Sequence, residues 1–495
     1  MGMDRAANLR RLGSERFDVL VVGGGITGCG IALDTASRGL RVGLLERDDF
    51  ASGTSSKSSK LIHGGLRYLR NLQFKVTLEA SREKATLKAM APHLVEDLPF
   101  LLPTWTRAAR PMFSTGLWIY DAAAGFPKGL IHKHLSRTET LATLPQLHTD
   151  GLRGGFLYYD ARADDCRLVL HVARKAAELG AALANRLPAT GFLKQNGRIA
   201  GVRTPLFDIA ADRVVNATGV WCDEVRSVDD PAAARTVRPS KGVHLIVPAR
   251  RLGLKTAAML PSPDGRIVFL IPEGDRAIVG TTDTDYGGPL DTPRAETLDI
   301  DYLLGVVNAS LPGVRLSRAD VQSSYAGLRP LLLDGADVPS KASREHHLFE
   351  SPSGLITLTG GKLTTWRVMA KQVVDLLTRT RCRTQEIDLY ATEARDPLSR
   401  LYGSAALEIR DRTPLIEGLP YVWGEVEHAV RREMAGSLAD VLCRRTRVAL
   451  YAEDRGAAVA PAVAARMAPL LGWTAAETGR QVDAYRAELD SNYPR

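Results

Sequence analysis

The sequence predicts an α/β fold: a Rossmann-like dinucleotide-binding domain with an inserted antiparallel-sheet domain and an α-helical C-terminal cap domain. Three observations carry this. A nearly all-apolar run at 17–22 leads into a glycine cluster and then an apolar periodic stretch, the order of a strand–turn–helix unit. Residues 240–285 change to alternating strands with tight-turn dipeptides at Asp264-Gly265 and Glu273-Gly274. Beyond about residue 388 the pattern turns helical.

Taken in order, the run 17–22 is a buried parallel strand. Ile26, Cys29, Leu33 and Ala36 then recur at helical spacing until Arg38-Gly39 ends the helix. Residues 41–45 form the next strand, closed by Glu46, which completes a β-turn-α-β unit. A Ser- and Gly-rich loop covers 52–66, and a long helix over 74–91 is stopped by Pro92. Residues 151–225 return to α/β, with a helix near 165–179 and a hairpin turning at Asn196-Gly197. A strand follows that ends in Val214-Val215-Asn216-Ala217-Thr218-Gly219. The α/β signal resumes at 354–358, followed by Gly360-Gly361 and a helix to about 379. In the last part, helices are expected over 424–447 and 474–489.

This divides the chain at 17–387 and 388–495. Within the first part, dinucleotide-binding segments span about 17–90, 151–225 and 350–380, and substrate-domain segments about 91–150 and 226–349. There is no internal repeat and no long low-complexity segment.

Composition bounds the function. A chain of 495 residues, 45% hydrophobic, buries a large core in two or three domains, and 24% charged residues argue against global disorder. The net charge of +9 serves solubility or attraction to anions, a phosphorylated ligand or acidic lipid headgroups; charge alone does not sort these. Nothing here points to nucleic acid. The five cysteines, Cys29, Cys166, Cys222, Cys382 and Cys443, are scattered with no C-x-x-C, which argues against a disulfide framework or a zinc site and fits a reducing cytoplasm. Residues 1–16 lack the apolar region of a signal peptide, and no stretch reads as a transmembrane helix, so any membrane contact is expected to be peripheral.

Gly23, Gly25 and Gly28 stand as G-x-G-x-x-G at the strand-to-helix turn. The first permits the tight turn, the second lets backbone approach a pyrophosphate, and the third allows close helix–strand packing. The helix N-terminus then faces the phosphates. Glu46 ends the second strand, where a carboxylate binds ribose hydroxyls and discourages a 2′-phosphate, which leaves NAD and FAD. The Ser-rich loop after Glu46, the strand end Asn216-Ala217-Thr218-Gly219 and the turn Gly360-Gly361-Lys362 are distant segments of the kind a two-domain flavoenzyme wraps around FAD.

With these segments in hand, the chain resembles the FAD-dependent glycerol-3-phosphate dehydrogenase family, within the D-amino-acid-oxidase-like flavoproteins. The resemblance rests on Gly23-Gly24-Gly25-Ile26-Thr27-Gly28 and on the highly specific run Thr54-Ser55-Ser56-Lys57-Ser58-Ser59-Lys60-Leu61-Ile62-His63-Gly64-Gly65-Leu66-Arg67-Tyr68-Leu69. It continues through Val215-Asn216-Ala217-Thr218-Gly219, Lys241-Gly242-Val243-His244, Ile278-Val279-Gly280-Thr281-Thr282-Asp283, Gly327-Leu328-Arg329-Pro330 and Gly360-Gly361-Lys362-Leu363-Thr364-Thr365. The stretches His428 to Met434 and Asp440 to Arg447 resemble the family's helical cap. Val243, where many members carry Ser, and Trp366, where Tyr is common, are mild departures that touch fine substrate contacts.

The resemblance implies oxidation of sn-glycerol 3-phosphate to dihydroxyacetone phosphate by hydride transfer to FAD, with electrons passed to membrane quinone. The alternatives are a glycerol-3-phosphate oxidase using oxygen, an amine or hydroxy-acid oxidase of the same fold, and a non-catalytic FAD-binding module. A phosphate handle asks for Arg and Lys. The resemblance places Arg67, Tyr68, Arg329 and Lys362 around the substrate, with Arg67 and Arg329 as phosphate clamp and orienting pair. His244 is a candidate base; Lys362 is a candidate oxyanion holder or base, and the two are not separated at this level. His63 is a candidate neighbour of the isoalloxazine.

For FAD, Glu46 is expected on the adenosine ribose, and Ser55, Ser56 and Ser59 on phosphate or the ribityl chain. Thr218 and Gly219 are expected near the adenine end, Gly361 and Leu363 near the flavin. Residues 104–120 mix Trp105, Met112, Phe113, Leu117, Trp118, Ile119 and Tyr120 with Arg107 and Arg110, the composition of an interfacial segment. The cluster Arg431, Arg432, Arg444, Arg445, Arg447 serves anionic-lipid attraction, a solvated face or interdomain salt bridging. The expected location is cytoplasmic, peripherally attached to the inner face of the cytoplasmic membrane, and a homodimer is compatible with this reading.

Overall fold

A computed structural model of the chain describes residues 2–64, 74–126, 128–333 and 346–494. Its first sheet runs in the order His346–Glu350, Leu355–Gly360, Asp208–Asn216, Phe17–Val22, Val42–Leu45, Ala182–Ala184. All neighbours are parallel except the His346–Glu350 edge strand. The central strands are apolar throughout because both faces are covered. Helices Ile26–Ser37, Asp165–Glu178 and Trp366–Asp375 join the core on one face, and helix Arg5–Ser14 packs on the other. The hairpin Gly191–Gln195 to Arg198–Arg203 turns at Asn196 and Gly197, both at positive φ (52° and 77°), as a two-residue turn between right-twisted strands requires.

The second sheet is built around the long strand Val237–Pro248, which pairs antiparallel with Arg276–Gly280 on one side and Ser323–Leu332 on the other. The register sets Ser240 opposite Arg329 and His244 opposite Tyr325. The sheet continues through Ile267–Glu273, Ala257–Pro261, Glu96–Thr104 and Gly154–Arg162 to Leu61–Ile62. Residues 154–162 and 61–62, which the sequence reading groups with the dinucleotide-binding segments, therefore lie in the second sheet. The physical reason is pairing: Gly154–Arg162 lies antiparallel to Glu96–Thr104 over nine positions, and Phe100 stacks on Tyr158 at 5.5 Å. A short apolar strand does not reveal its sheet by periodicity.

The C-terminal region is helical, but 424–447 is not one helix. Gly424–Glu433 ends at Met434 in the left-handed conformation (φ 56°), and a π-helical turn Asp440–Arg445 follows. The break is stabilised by Asp440, whose carboxylate accepts from the Gly436 and Ser437 amides at 2.7 and 3.0 Å. The helix after Gly360-Gly361 is also shorter than expected, spanning Trp366–Asp375.

The helical region is seated by buried ion pairs. Arg444 and Arg445 meet Asp49 at the end of the first β-α-β unit, Arg167 meets Glu433, and Arg447 meets Asp164 and Asp165. Of the basic cluster singled out in the sequence, Arg444, Arg445 and Arg447 are thus buried in interdomain pairs, not offered to lipid; only Arg431 and Arg432 are exposed.

Candidate active site

A cavity of about 560 Å³ runs from the glycine turn to the second sheet. Gly23, Gly25, Ile26 and Thr27 form its floor at the start of the first long helix. Gly23 sits at φ 114°, where a Cβ would lie 2.6 Å from the Ala217 carbonyl oxygen. Gly28 does not line the cavity; a Cβ there would lie 1.9 Å from the Gly23 carbonyl oxygen, so glycine is what lets helix and turn close. Helix Ile26–Ser37 begins at Gly25, which has no side chain to cap it. Glu46 Oε2 accepts from the Gly24 amide at 2.6 Å and Oε1 from the Asp48 amide at 2.8 Å. Burial pushes this carboxyl up to about 7, against the pull of the two amides. A helix end whose glycine N-cap offers no side chain, a closely packed glycine turn and a fixed carboxyl at the strand end fit a dinucleotide's pyrophosphate and ribose.

The remaining segments expected around the cofactor are unequal. Ser55 lines the cavity, and its Oγ accepts from the Ile26 amide at 3.0 Å. Ser56 is buried behind the loop and does not line the cavity. Ser59 lines it, but its Oγ lies 2.7 Å from His244 Nε2. Thr218, Gly219, Gly361 and Leu363 also line the cavity, with Thr218 Oγ1 donating to Asn216 Oδ1 at 2.6 Å and Thr359 Oγ1 to the Gly219 carbonyl at 3.4 Å.

The end of the cavity at the second sheet holds charged groups. Arg329 donates through Nη1 to the Thr282 carbonyl (3.1 Å) and through Nη2 to Thr281 Oγ1 (3.1 Å), and it pairs with Asp283 at 3.3 Å. The guanidinium lies across Gly242, where a Cβ would stand 2.4 Å from Nη2. His244 is buried, and burial, Arg329 and Lys60, in that order, hold its pKa well below the ordinary imidazole range, so it is neutral. Lys362 enters the cavity wall after Gly360 and Gly361, both at positive φ, and begins the turn Leu363–Thr365. His63 lines the same end, and its amide donates to Thr364 Oγ1 at 3.3 Å. Arg67 and Tyr68 lie outside the described residues.

Several contributors escaped the sequence reading. Gly242 and Asp283 stand in segments quoted for the resemblance yet carried no role until the register set them beside Arg329. Asp160 lines the cavity and accepts from Tyr120 Oη (2.6 Å), Lys84 Nζ (3.2 Å) and the Gly64 amide (3.3 Å). Tyr120 is therefore a core residue, not an interfacial one.

Comparison with known proteins bears on the family and the fold. A family model described as FAD dependent oxidoreductase matches residues 18–376, and one described as C-terminal domain of alpha-glycerophosphate oxidase matches residues 355–478. The chain is 39% identical to glycerol-3-phosphate dehydrogenase 2 of Mycobacterium tuberculosis, over 98% of this chain and 90% of the relative. It is 35% identical to the aerobic glycerol-3-phosphate dehydrogenase of Bacillus subtilis, over 90% and 89%. The solved structure of the glycerol-3-phosphate dehydrogenase from Bacillus halodurans, complexed with FAD, matches with a TM-score of 0.81 at 31% identity, covering 99% of this chain and 97% of that one. Likeness of this extent spans both the glycine-turn sheet and the helical region clamped onto it, and the chain belongs to the FAD-dependent glycerol-3-phosphate dehydrogenase family.

Proposed function

We propose that the protein oxidises sn-glycerol 3-phosphate at C2 to dihydroxyacetone phosphate, with FAD as the immediate acceptor. The observation that supports this most is the second-sheet end of the cavity, where an anchored guanidinium stands near a buried neutral histidine, with Lys362 in the wall of the same cavity. Oxidising the carbinol removes a hydride from carbon and a proton from oxygen, and bound FAD supplies the hydride acceptor. Arg329 is the phosphate contact. Its hydrogen bonds to Thr281 and Thr282 fix the plane of the guanidinium before the anion arrives, so little order is lost on binding. His244 takes the carbinol proton: it is neutral, and its described hydrogen bond is made at Nε2, toward the cavity-lining Ser59. Lys362 holds the negative charge that develops on the substrate oxygen.

An anaerobic absorbance spectrum tests this. The flavin is expected to bleach with glycerol 3-phosphate and not with glycerol. A flavin that stays oxidised with the phosphate ester overturns the substrate reading. The Gly242→Ala variant adds a geometric check. Its methyl group would occupy the space of the Arg329 guanidinium, so KM for glycerol 3-phosphate is expected to rise roughly tenfold or more, with flavin content unchanged. Steady-state kinetics with a dye acceptor would show it, and an unchanged KM would remove Arg329 from the phosphate site.

Electrons pass on, in this reading, to a membrane quinone, with the protein attached peripherally to the inner face of the cytoplasmic membrane. No helix among the described residues is long and apolar enough to cross a membrane. Helix Ala109–Ala123 supports surface attachment: Leu117 and Tyr120 face the core, while Met112, Trp118 and Ile119 are 51%, 53% and 37% exposed. Phe126 just beyond the helix, Arg107 just before it and Arg110 in its first turn are exposed as well. Trp118→Glu is expected to weaken binding to anionic phospholipid vesicles roughly tenfold while leaving dye-linked turnover intact. Equal co-sedimentation of the two proteins would exclude this face.

A further inference from the structure

His244 is gripped from three sides. Tyr325, opposite it on the neighbouring strand, stacks on the imidazole with centroids 4.7 Å apart and planes 10° apart. Gly280 covers another side so closely that a Cβ would come within 2.3 Å of Cδ2. Stacking fixes the plane of the ring but does not choose between its two flipped orientations. That choice falls to Ser59 Oγ, 2.7 Å from Nε2, because Nδ1 is buried with no hydrogen-bond partner among the described residues.

Ser59 is itself held from both neighbours. Asp165 Oδ2 accepts from the Ser58 amide (3.0 Å) and from Ser58 Oγ (2.7 Å), while Oδ1 accepts from Lys60 Nζ (2.8 Å). The Ser58 carbonyl accepts from Tyr325 Oη at 2.9 Å, so the residue that stacks on His244 also pins the loop. Asp165 is fully buried, and Arg447 donates to its Oδ1 at 2.6 Å while meeting Asp164 at 2.8 and 2.9 Å. Arg447 belongs to the helical C-terminal region. Guanidinium, carboxylate and the Ser58 hydroxyl thus form a chain of contacts from that region to the backbone next to Ser59, whose own hydroxyl meets the imidazole, and every hydrogen bond in it is buried or half-buried.

We propose that Ser59 is a positioning residue that sets the orientation of His244, and that Asp165 and Arg447 hold Ser59 in place for it. The proposal rests on the reading of His244 as the proton acceptor. It gives Ser59 a duty other than the cofactor contact expected for the Ser-rich loop, and it gives the helical region a part in the site.

The test uses holoenzyme labelled with 15N-histidine, with His244→Gln identifying the His244 signals by their loss. Ser59→Ala is expected to keep the wild-type flavin content, shift the His244 Nε2 resonance in resting protein, and lower kcat roughly 10- to 100-fold with KM changed less than about threefold, as when other histidine-orienting partners are removed. Ser59→Thr restores the hydroxyl and is expected to return most of kcat. Ser58→Ala, which removes one bond to Asp165, is expected to move the same resonance by a smaller amount. Flavin loss in Ser59→Ala with an unmoved His244 resonance would return Ser59 to the cofactor and overturn the proposal. An unmoved resonance with unchanged kcat would also overturn it, and an unmoved resonance in Ser58→Ala would remove the Asp165 clamp. Should wild-type flavin stay oxidised with glycerol 3-phosphate, the oxidation reading fails on its own, while the resting resonance still decides the place of Ser59.

Discussion

Replacing Arg329 by Met is expected to lower kcat/KM for glycerol 3-phosphate by roughly a hundred- to a thousandfold while the protein keeps its flavin. Charge-assisted hydrogen bonds contribute about 1.5–3 kcal/mol each, and a guanidinium offers two in parallel to a phosphate. The Arg329 side chain is 24% exposed, so the lower half of that range applies, and at about 1.4 kcal/mol per factor of ten two such bonds amount to two or three decades. The variant also removes a cation from beside Asp283, now paired with the guanidinium at 3.3 Å, so a bound anion meets more negative charge there, which pushes the effect to the upper end. Arg329→Lys is expected to recover little, because a point charge cannot reproduce the planar fork that Thr281 and Thr282 hold in orientation. Stopped-flow flavin reduction separates the outcomes. A rate within about tenfold of wild type at low substrate would show that the phosphate is bound elsewhere.

The largest effect on stability is expected at Asp49. Its carboxylate accepts from Arg444 Nε at 2.6 Å, Arg445 Nη2 at 2.9 Å and Asn185 Nδ2 at 3.1 Å, and the residue is 1% exposed. Asp49→Ala removes the carboxylate shared by two buried guanidinium groups; Arg444 keeps Asp440, and Arg445 keeps the Glu433 carbonyl at 2.6 Å, so the loss is expected near the lower end of the about 3–5 kcal/mol that breaking a buried pair costs. The comparison is Asp212→Ala, which breaks the exposed pair with Arg16, whose side chains are 51% and 50% accessible; exposed pairs contribute less than about 1 kcal/mol. Denaturant unfolding of both holoproteins gives the contrast. If Asp49→Ala shifts the midpoint no more than Asp212→Ala does, the helical region is not held by this cluster.

The local units of the fold were legible because their signals are local. A strand, a glycine turn and a helix follow within twenty residues from Phe17, and Glu46 closes the unit. The Asn196-Gly197 hairpin needed nothing beyond two residues that tolerate positive φ. Helix interruption near Met434 was less legible, since 424–447 is helical by composition, and the break depends on Asp440 capping backbone amides that follow Glu433. The candidate site was legible as residue types and as a resemblance, whereas the partners of those residues were not.

By itself, the sequence determined the α/β class, the dinucleotide turn, the FAD-dependent family and the set of residues from which a site could be assembled. Spacing along the chain encodes the class and the turn directly, and the quoted motifs carry the resemblance to the family. Only the tertiary structure decided that 154–162 joins the second sheet, and that Arg444, Arg445 and Arg447 turn inward to carboxylates. It alone placed Gly242 under the Arg329 guanidinium and Ser59 against His244, 185 positions away. Periodicity reports which face of an element is apolar, but which partner that face or charge meets is settled by packing between segments far apart in the chain.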